Sequence, residues 1–141
     1  MSATARFFSS RWIQVPPQVE ESGGGLPDGF RAAGVACGIK HSGALDLGLI
    51  ACASPNTTSA ARFTRSGTQS APVLLSTEKT ELAGIRTVVV NSGNANAATG
   101  TPGLENAARM QAEAAVATGA SAGQVVVAST GVIGVPLPIE A

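Results

Sequence analysis

Two glycine-bearing segments close Val-rich runs, and residue type and spacing at these two places could do chemistry. In one, Val125-Val126-Val127-Ala128 runs through Ser129 into Thr130-Gly131-Val132-Ile133-Gly134. No acidic or basic side chain lies between Gln124 and Glu140, so the segment has main-chain groups to offer. Outward-pointing N–H groups stabilise an oxyanion and attack nothing. Thr130 and Gly131 are therefore candidate donors for half of an acyl-transfer site whose nucleophile lies elsewhere. A core strand ending in a tight turn accounts for the same local letters, since Gly is the ordinary turn former.

In the other, a strand-like run over 86–90, β-branched from Thr87 on, empties into Asn91-Ser92-Gly93-Asn94-Ala95-Asn96. A Gly-containing loop between strand and helix can aim N–H groups at a phosphate. Against that stand the lack of GxGxxG and of GxxxxGK[ST], and a second Asn-Ala-Asn that spaces the loop from the helix start. Ser129 has no GxSxG elbow around it. His41, the single histidine, sits in the turn Lys40-His41-Ser42-Gly43 and reads as solvated rather than as a base. Cys37 and Cys52 lie in apolar runs without CxxC spacing, which suits small, reduced core residues better than a metal or redox pair. Neither a nucleophile nor a metal site is expected among these residues.

The elements that must position these segments follow from periodicity and turn chemistry. Stretches 30–39 and 45–53 read as a hairpin joined by 40–43, with Asp46 interrupting the second strand's start. Stretch 60–64 reads as a third strand, 72–76 as a short fourth, and 77–82 as a helical turn or short helix. Thr101 as N-cap, Pro102 at the first helical position and Gly119 as the stop frame a helix over 102–118. Its polar stripe is Glu105, Arg109 and Glu113; Leu104, Ala107, Ala108, Ala114 and Ala115 should face a sheet. The Val-rich strands 86–90, expected to be covered on both faces, and 124–129 flank this helix. That βαβ order makes them parallel, with Asn91 and Ser129 opening on one edge.

Composition excludes several classes. The chain has 141 residues, enough for one domain, and nine Lys plus Arg balance nine Asp plus Glu. No electrostatic footprint argues for nucleic acid or an anionic membrane. Four Phe, one Trp and no Tyr give no base-stacking platform. No apolar run approaches the ~20 residues of a membrane span. Arg6 and Arg11 with several Ser and Thr and no acid in the first 19 residues share the composition of mitochondrial transit peptides. Pro16-Pro17, Glu20-Glu21 and Gly23-Gly24-Gly25 read instead as a leader running into the fold. A cytoplasmic protein is the expectation, a mitochondrial one the alternative.

Seven motifs taken together resemble one family. They are Gly29-Phe30-Arg31-Ala32-Ala33-Gly34-Val35, Gly38-Ile39-Lys40, Leu45-Asp46-Leu47, Phe63-Thr64-Arg65, Ala71-Pro72-Val73, the stretch from Val90-Asn91-Ser92-Gly93-Asn94 to Ala97 with Thr99-Gly100, and Ala128-Ser129-Thr130-Gly131-Val132-Ile133-Gly134. Their order resembles that of the bifunctional ornithine acetyltransferase / N-acetylglutamate synthase family, ArgJ, over roughly residues 27–139.

The resemblance implies an ArgJ/DmpA-like α/β sandwich with mixed sheets packed between helices. It also implies a precursor that cuts itself between Ala and Thr. The freed Thr, at the start of a β chain, takes the acetyl group of N-acetylornithine and passes it to glutamate. An N-terminal Thr activated by its own amine is a known nucleophile. The resemblance assigns the backbone N–H groups of Thr130 and Gly131 to the oxyanion hole. No cofactor is implied, though some members use acetyl-CoA as acetyl donor; two α and two β chains are implied to assemble.

The family's self-cleavage site and nucleophile fall in segments this sequence lacks. The expectation is thus a leader over 1–27 and the N-terminal part of an α-chain domain over 28–141, inactive alone. Two other readings stand beside it: a self-cleaving amidohydrolase or aminopeptidase of the same fold, and a non-catalytic truncated fragment that only associates with partners.

Overall fold

Val-rich runs become neighbours in space. A computed structural model describes residues 25–140 together with Pro17 and Gln18. The expected leader over 1–27 lies mostly outside the described residues. The elements in chain order are β1 (Phe30–Val35), β2 (Leu47–Cys52), α1 (Ala71–Lys79), β3 (Thr87–Asn94), α2 (Gly100–Thr118), a short 3-10 turn (Ala122–Gln124) and β4 (Val125–Val132). The sheet order is β1-β2-β3-β4, antiparallel for the first two pairings and parallel for β3 with β4. The hairpin and the parallel βαβ unit thus stand as the sequence suggests.

The core lies between the sheet and both helices. Val89, Val125 and Val127 pack against Ala71 and Leu75 of α1, against Ala107, Met110, Ala114 and Ala115 of α2, and against Leu137. Small side chains on α2 let it approach the strands closely, and each fully buried Val contributes about 1.5–3 kcal/mol. Met110 and Gln111 are buried where the helical pattern suggested Leu104 and Ala108, which are exposed. α2 begins at Gly100, so Thr101 is not its N-cap but lies inside the first turn; Thr99 takes the cap position without a side-chain cap hydrogen bond.

Four further expectations need correction. Stretch 72–76 is not a strand: 71–79 is helix, because Pro72 sits in its first turn and Ala71, Pro72, Leu75 and Ser76 recur on its buried side. Stretch 60–64 alternates half-buried and exposed residues as a strand would, yet forms no ladder. β1 stops at Val35 rather than 39, since Asp46 draws the N–H groups of Cys37 and Lys40 into a loop. Nor is the parallel pair covered on both faces among the described residues: Thr87, Val89 and Asn91 are buried toward the helices, while Val88, Val90, Val126 and Ala128 are half-buried on the other side.

Candidate functional site

The two glycine-bearing segments are strand, not corner and loop. β3 and β4 stay paired through Asn91 with Ser129, Ser92 with Thr130 and Gly93 with Gly131, and lose regular register only at Asn94, which faces both Thr130 and Val132. Glycine at both positions permits this. Gly131 has φ +136, and a Cβ there would collide with the Gly93–Asn94 peptide, lying 2.5 Å from the Asn94 nitrogen. Gly93 has φ +111, and a Cβ on it would stand 3.0 Å from Ile39 Cγ2 and 3.1 Å from Lys40 Cγ. Side chains are thus excluded where the backbones meet.

The asparagines beside them face inward. Asn91 and Asn96 have no exposed surface and Asn94 is 4% exposed. Asn91 Nδ2 donates to Asn94 O at 2.8 Å. Asn94 Nδ2 donates to Val135 O at 3.0 Å and to Pro136 O at 3.1 Å, and its Oδ1 accepts from Asn96 N at 2.8 Å. Asn96 Nδ2 donates to Gly103 O, and Asn96 Oδ1 accepts from Thr99 Oγ1. These amides hold the chain's own backbone, so the phosphate-loop alternative loses its polar side chains. Asn91 Oδ1 and Ser129 Oγ, opposite one another in register, are buried without a partner among the described residues.

Along the outer edge of β4 the main chain is treated unequally. Gln111 Nε2 and Thr80 Oγ1 donate to Val125 O at 2.9 and 3.0 Å. Ser76 Oγ accepts from Val127 N at 3.2 Å and donates to Val127 O at 3.4 Å. Helix side chains therefore close the edge at Val125 and Val127. On the strand's two-residue period the next outward positions are Ser129 and Gly131. No helix side chain among the described residues caps them in this way. Thr130, Gly131, Val132 and Ile133 are exposed.

The loop before β2 is pinned to the same region. Asp46, 3% exposed, accepts from Cys37 N at 2.7 Å and Lys40 N at 2.8 Å. Its own carbonyl accepts from Ser92 N at 2.8 Å. The N–H groups of Cys37 and Lys40 hold its carboxyl down at about 2. Burial, then the neighbouring Asp46, pushes the Cys37 thiol up, away from reactive thiolate. Cys37 and Cys52 are both free, and His41 is exposed in its turn. A cleft of about 300 Å3 between α2 and β2, lined by Leu47, Leu49, Val89, Met110, Ala114 and Ile139, is mainly apolar.

Of the two residues that sequence reasoning singles out, Gly131 falls on the outward parity of the β4 edge; Asn94 and Asp46 are residues that it overlooks. The available signal was polarity: an Asn-rich run directly continuing a buried-type strand must satisfy its amides internally.

Comparison with known proteins adds a family to this geometry. Residues 31–141 match the model of the ArgJ family. The chain is similar to the arginine biosynthesis bifunctional protein ArgJ of Geobacter sulfurreducens, 50% identical over 112 residues, covering 79% of this chain and 28% of that protein. With its counterpart from Gloeobacter violaceus it is 52% identical over 113 residues, again 79% of this chain and 28% of the relative. The chain thus spans under a third of the length of these curated relatives. Among solved structures, ArgJ of Bacillus halodurans superposes with a TM-score of 0.73 at 40% identity, over 80% of this chain and 59% of that one. The ornithine acetyltransferase of Mycobacterium tuberculosis, solved in complex with ornithine, gives 0.73 at 43% identity, over 81% and 62%.

Proposed function

The chain belongs to the ArgJ family, and from that premise we propose that it supplies the oxyanion donors, the N–H groups of Thr130 and Gly131, to an acetyltransferase of arginine biosynthesis. The observation that carries this reading is the far end of the parallel pair, where Gly131 lies exposed on the outward parity of β4 and is pressed onto the Gly93–Asn94 peptide.

The reaction runs in two halves. A threonine hydroxyl at the start of a β chain attacks the acetyl carbonyl of N-acetylornithine. The new C–O bond converts the carbonyl to an oxyanion, which the two N–H groups stabilise. Collapse breaks the C–N bond, and the ornithine amine leaves with the proton. The glutamate amine then attacks the acetyl ester through a second oxyanion, giving N-acetylglutamate and the free hydroxyl. Loss of one well-placed donor typically removes about 2.7–4 kcal/mol of transition-state stabilisation. Acetyl-CoA serves as an alternative donor in the same cycle, no cofactor takes part, and the working form is two α and two β chains in the cytoplasm.

Co-expression with a partner carrying the remaining ArgJ sequence and its Thr tests the proposal. N-acetylglutamate formed from N-acetylornithine and glutamate, only when both pieces are present, is the expected result. No transfer in the folded pair, or release of free acetate without N-acetylglutamate, overturns it in favour of no activity or hydrolysis.

A further inference from the structure

Resting on that oxyanion reading, we infer that Asn94 is a positioning residue, whose side-chain amide fixes the direction in which the Gly131 N–H points. The segment after Gly131 has little else to hold it. Val132 is 58% exposed, Ile133 66% and Val135 48%, so no apolar packing sets the course of 132–135. Hydrogen bonds from 94–97 set it instead. Ala95 N donates to Val132 O and Gly134 N donates to Ala97 O, each at 2.9 Å. Asn94 closes the turn from inside by donating to the carbonyls of Val135 and Pro136 with one amide group.

The same residue backs Gly131 directly. Its main-chain nitrogen is among the atoms that a Cβ on Gly131 would strike, so the Gly131 Cα rests on the Asn94 peptide. Asn94 is itself held, because Asn91 Nδ2 binds its carbonyl, in the peptide that follows, and Asn96 N binds its Oδ1. Gly131 therefore has its Cα seated on Asn94 and its C-terminal continuation tied to the Asn94 side chain. A carboxamide fits this role because it carries two N–H donors and an acceptor in one plane. A carboxylate of the same shape would face two carbonyl oxygens with no proton to share.

The experiment uses the chain co-expressed with its ArgJ continuation. N94D is expected to lower kcat about 100-fold while leaving KM for N-acetylornithine unchanged. The deficit should shrink as pH falls, since protonation restores one O–H donor. Asn106→Ala is the matched control. Asn106 Nδ2 donates to Leu137 O at 3.3 Å, so its loss loosens the same strap beyond the Gly131 contact, and kcat should stay near wild type. Asn94→Ser, which keeps one donor, replaces N94D if that variant does not fold. A wild-type kcat in N94D or N94S, a raised KM with kcat retained, or equal losses in N94D and N106A would overturn the inference.

The backbone amide resonance of Gly131, recorded on the chain itself, reads the inference without the reaction. It should move in N94D and hold still in N106A; a Gly131 resonance unmoved by N94D overturns the inference. If it moves as expected while the wild-type pair transfers no acetyl group, the functional proposal has failed and the positioning role stands.

Discussion

The first halves of β3 and β4 and their far ends are built on opposite terms. In the first halves, Val89, Val125 and Val127 are buried under two helices, and Ser76, Thr80 and Gln111 close the outer edge of β4. At the far ends apolar packing gives way to buried amides, two glycines in van der Waals contact, and an edge with no such cap. One half is made to hold. The other presents main chain in a fixed direction, and the stability of the first half lets it do so. Open sheets of this kind often carry their sites at the C-terminal ends of parallel strands.

The comparison breaks most severely at Gly131. Gly131→Ala forces a Cβ into the Gly93–Asn94 peptide at a φ that L-residues avoid, so the far ends must part. The expected loss is about 3 kcal/mol or more, read from the denaturant midpoint, and with it acetyl transfer in the reconstituted enzyme. A midpoint within error of wild type would mean that the contact is not as close as described.

Ser76→Ala acts on the other half. It removes the hydroxyl that serves both Val127 N and Val127 O in a fully buried setting, at an expected cost of about 1–3 kcal/mol. Transfer per folded molecule should be unaffected. A kcat that falls along with the midpoint would show that the two halves are not separable.

Asp46 gives the smallest effect, and it depends on pH. Its folded-state carboxyl sits at about 2, below the usual carboxylate value near 3.9. A depressed value means that its contribution is fully present above pH 4 and disappears as pH falls through about 2. Stability measured between those limits should decline in wild type by more than in Asp46→Asn. Equal slopes would remove Asp46 from the set of groups that pin the 36–46 loop to β3.

Much of this was legible in the letters. The Val runs, the Gly119 stop of α2 and the βαβ order gave the parallel pair, and with it the edge on which Gly131 lies. Local propensity failed where long-range contact decides. Gly and Asn read as loop, yet 91–94 and 130–132 are strand, because two glycines opposite one another let the ladder continue. Pro72-Val73-Leu74-Leu75-Ser76 reads as strand over five residues, and only the longer 3.6-residue recurrence from Ala71 to Ser76 reveals α1. Asn94 escaped notice because its partners, Val135 and Pro136, are carbonyls some forty residues away, without any side-chain pattern.

Residue-resolved native-state hydrogen exchange of β4 tests the contrast between the two halves most directly. Val127 N, bonded to Ser76 Oγ inside the core, should exchange only through global unfolding. Gly131 N, on the uncapped stretch of the same edge, should exchange from the folded state without it. Protection at Gly131 equal to that at Val127 would contradict the picture: its N–H would then already be bonded within the chain and could not serve an oxyanion.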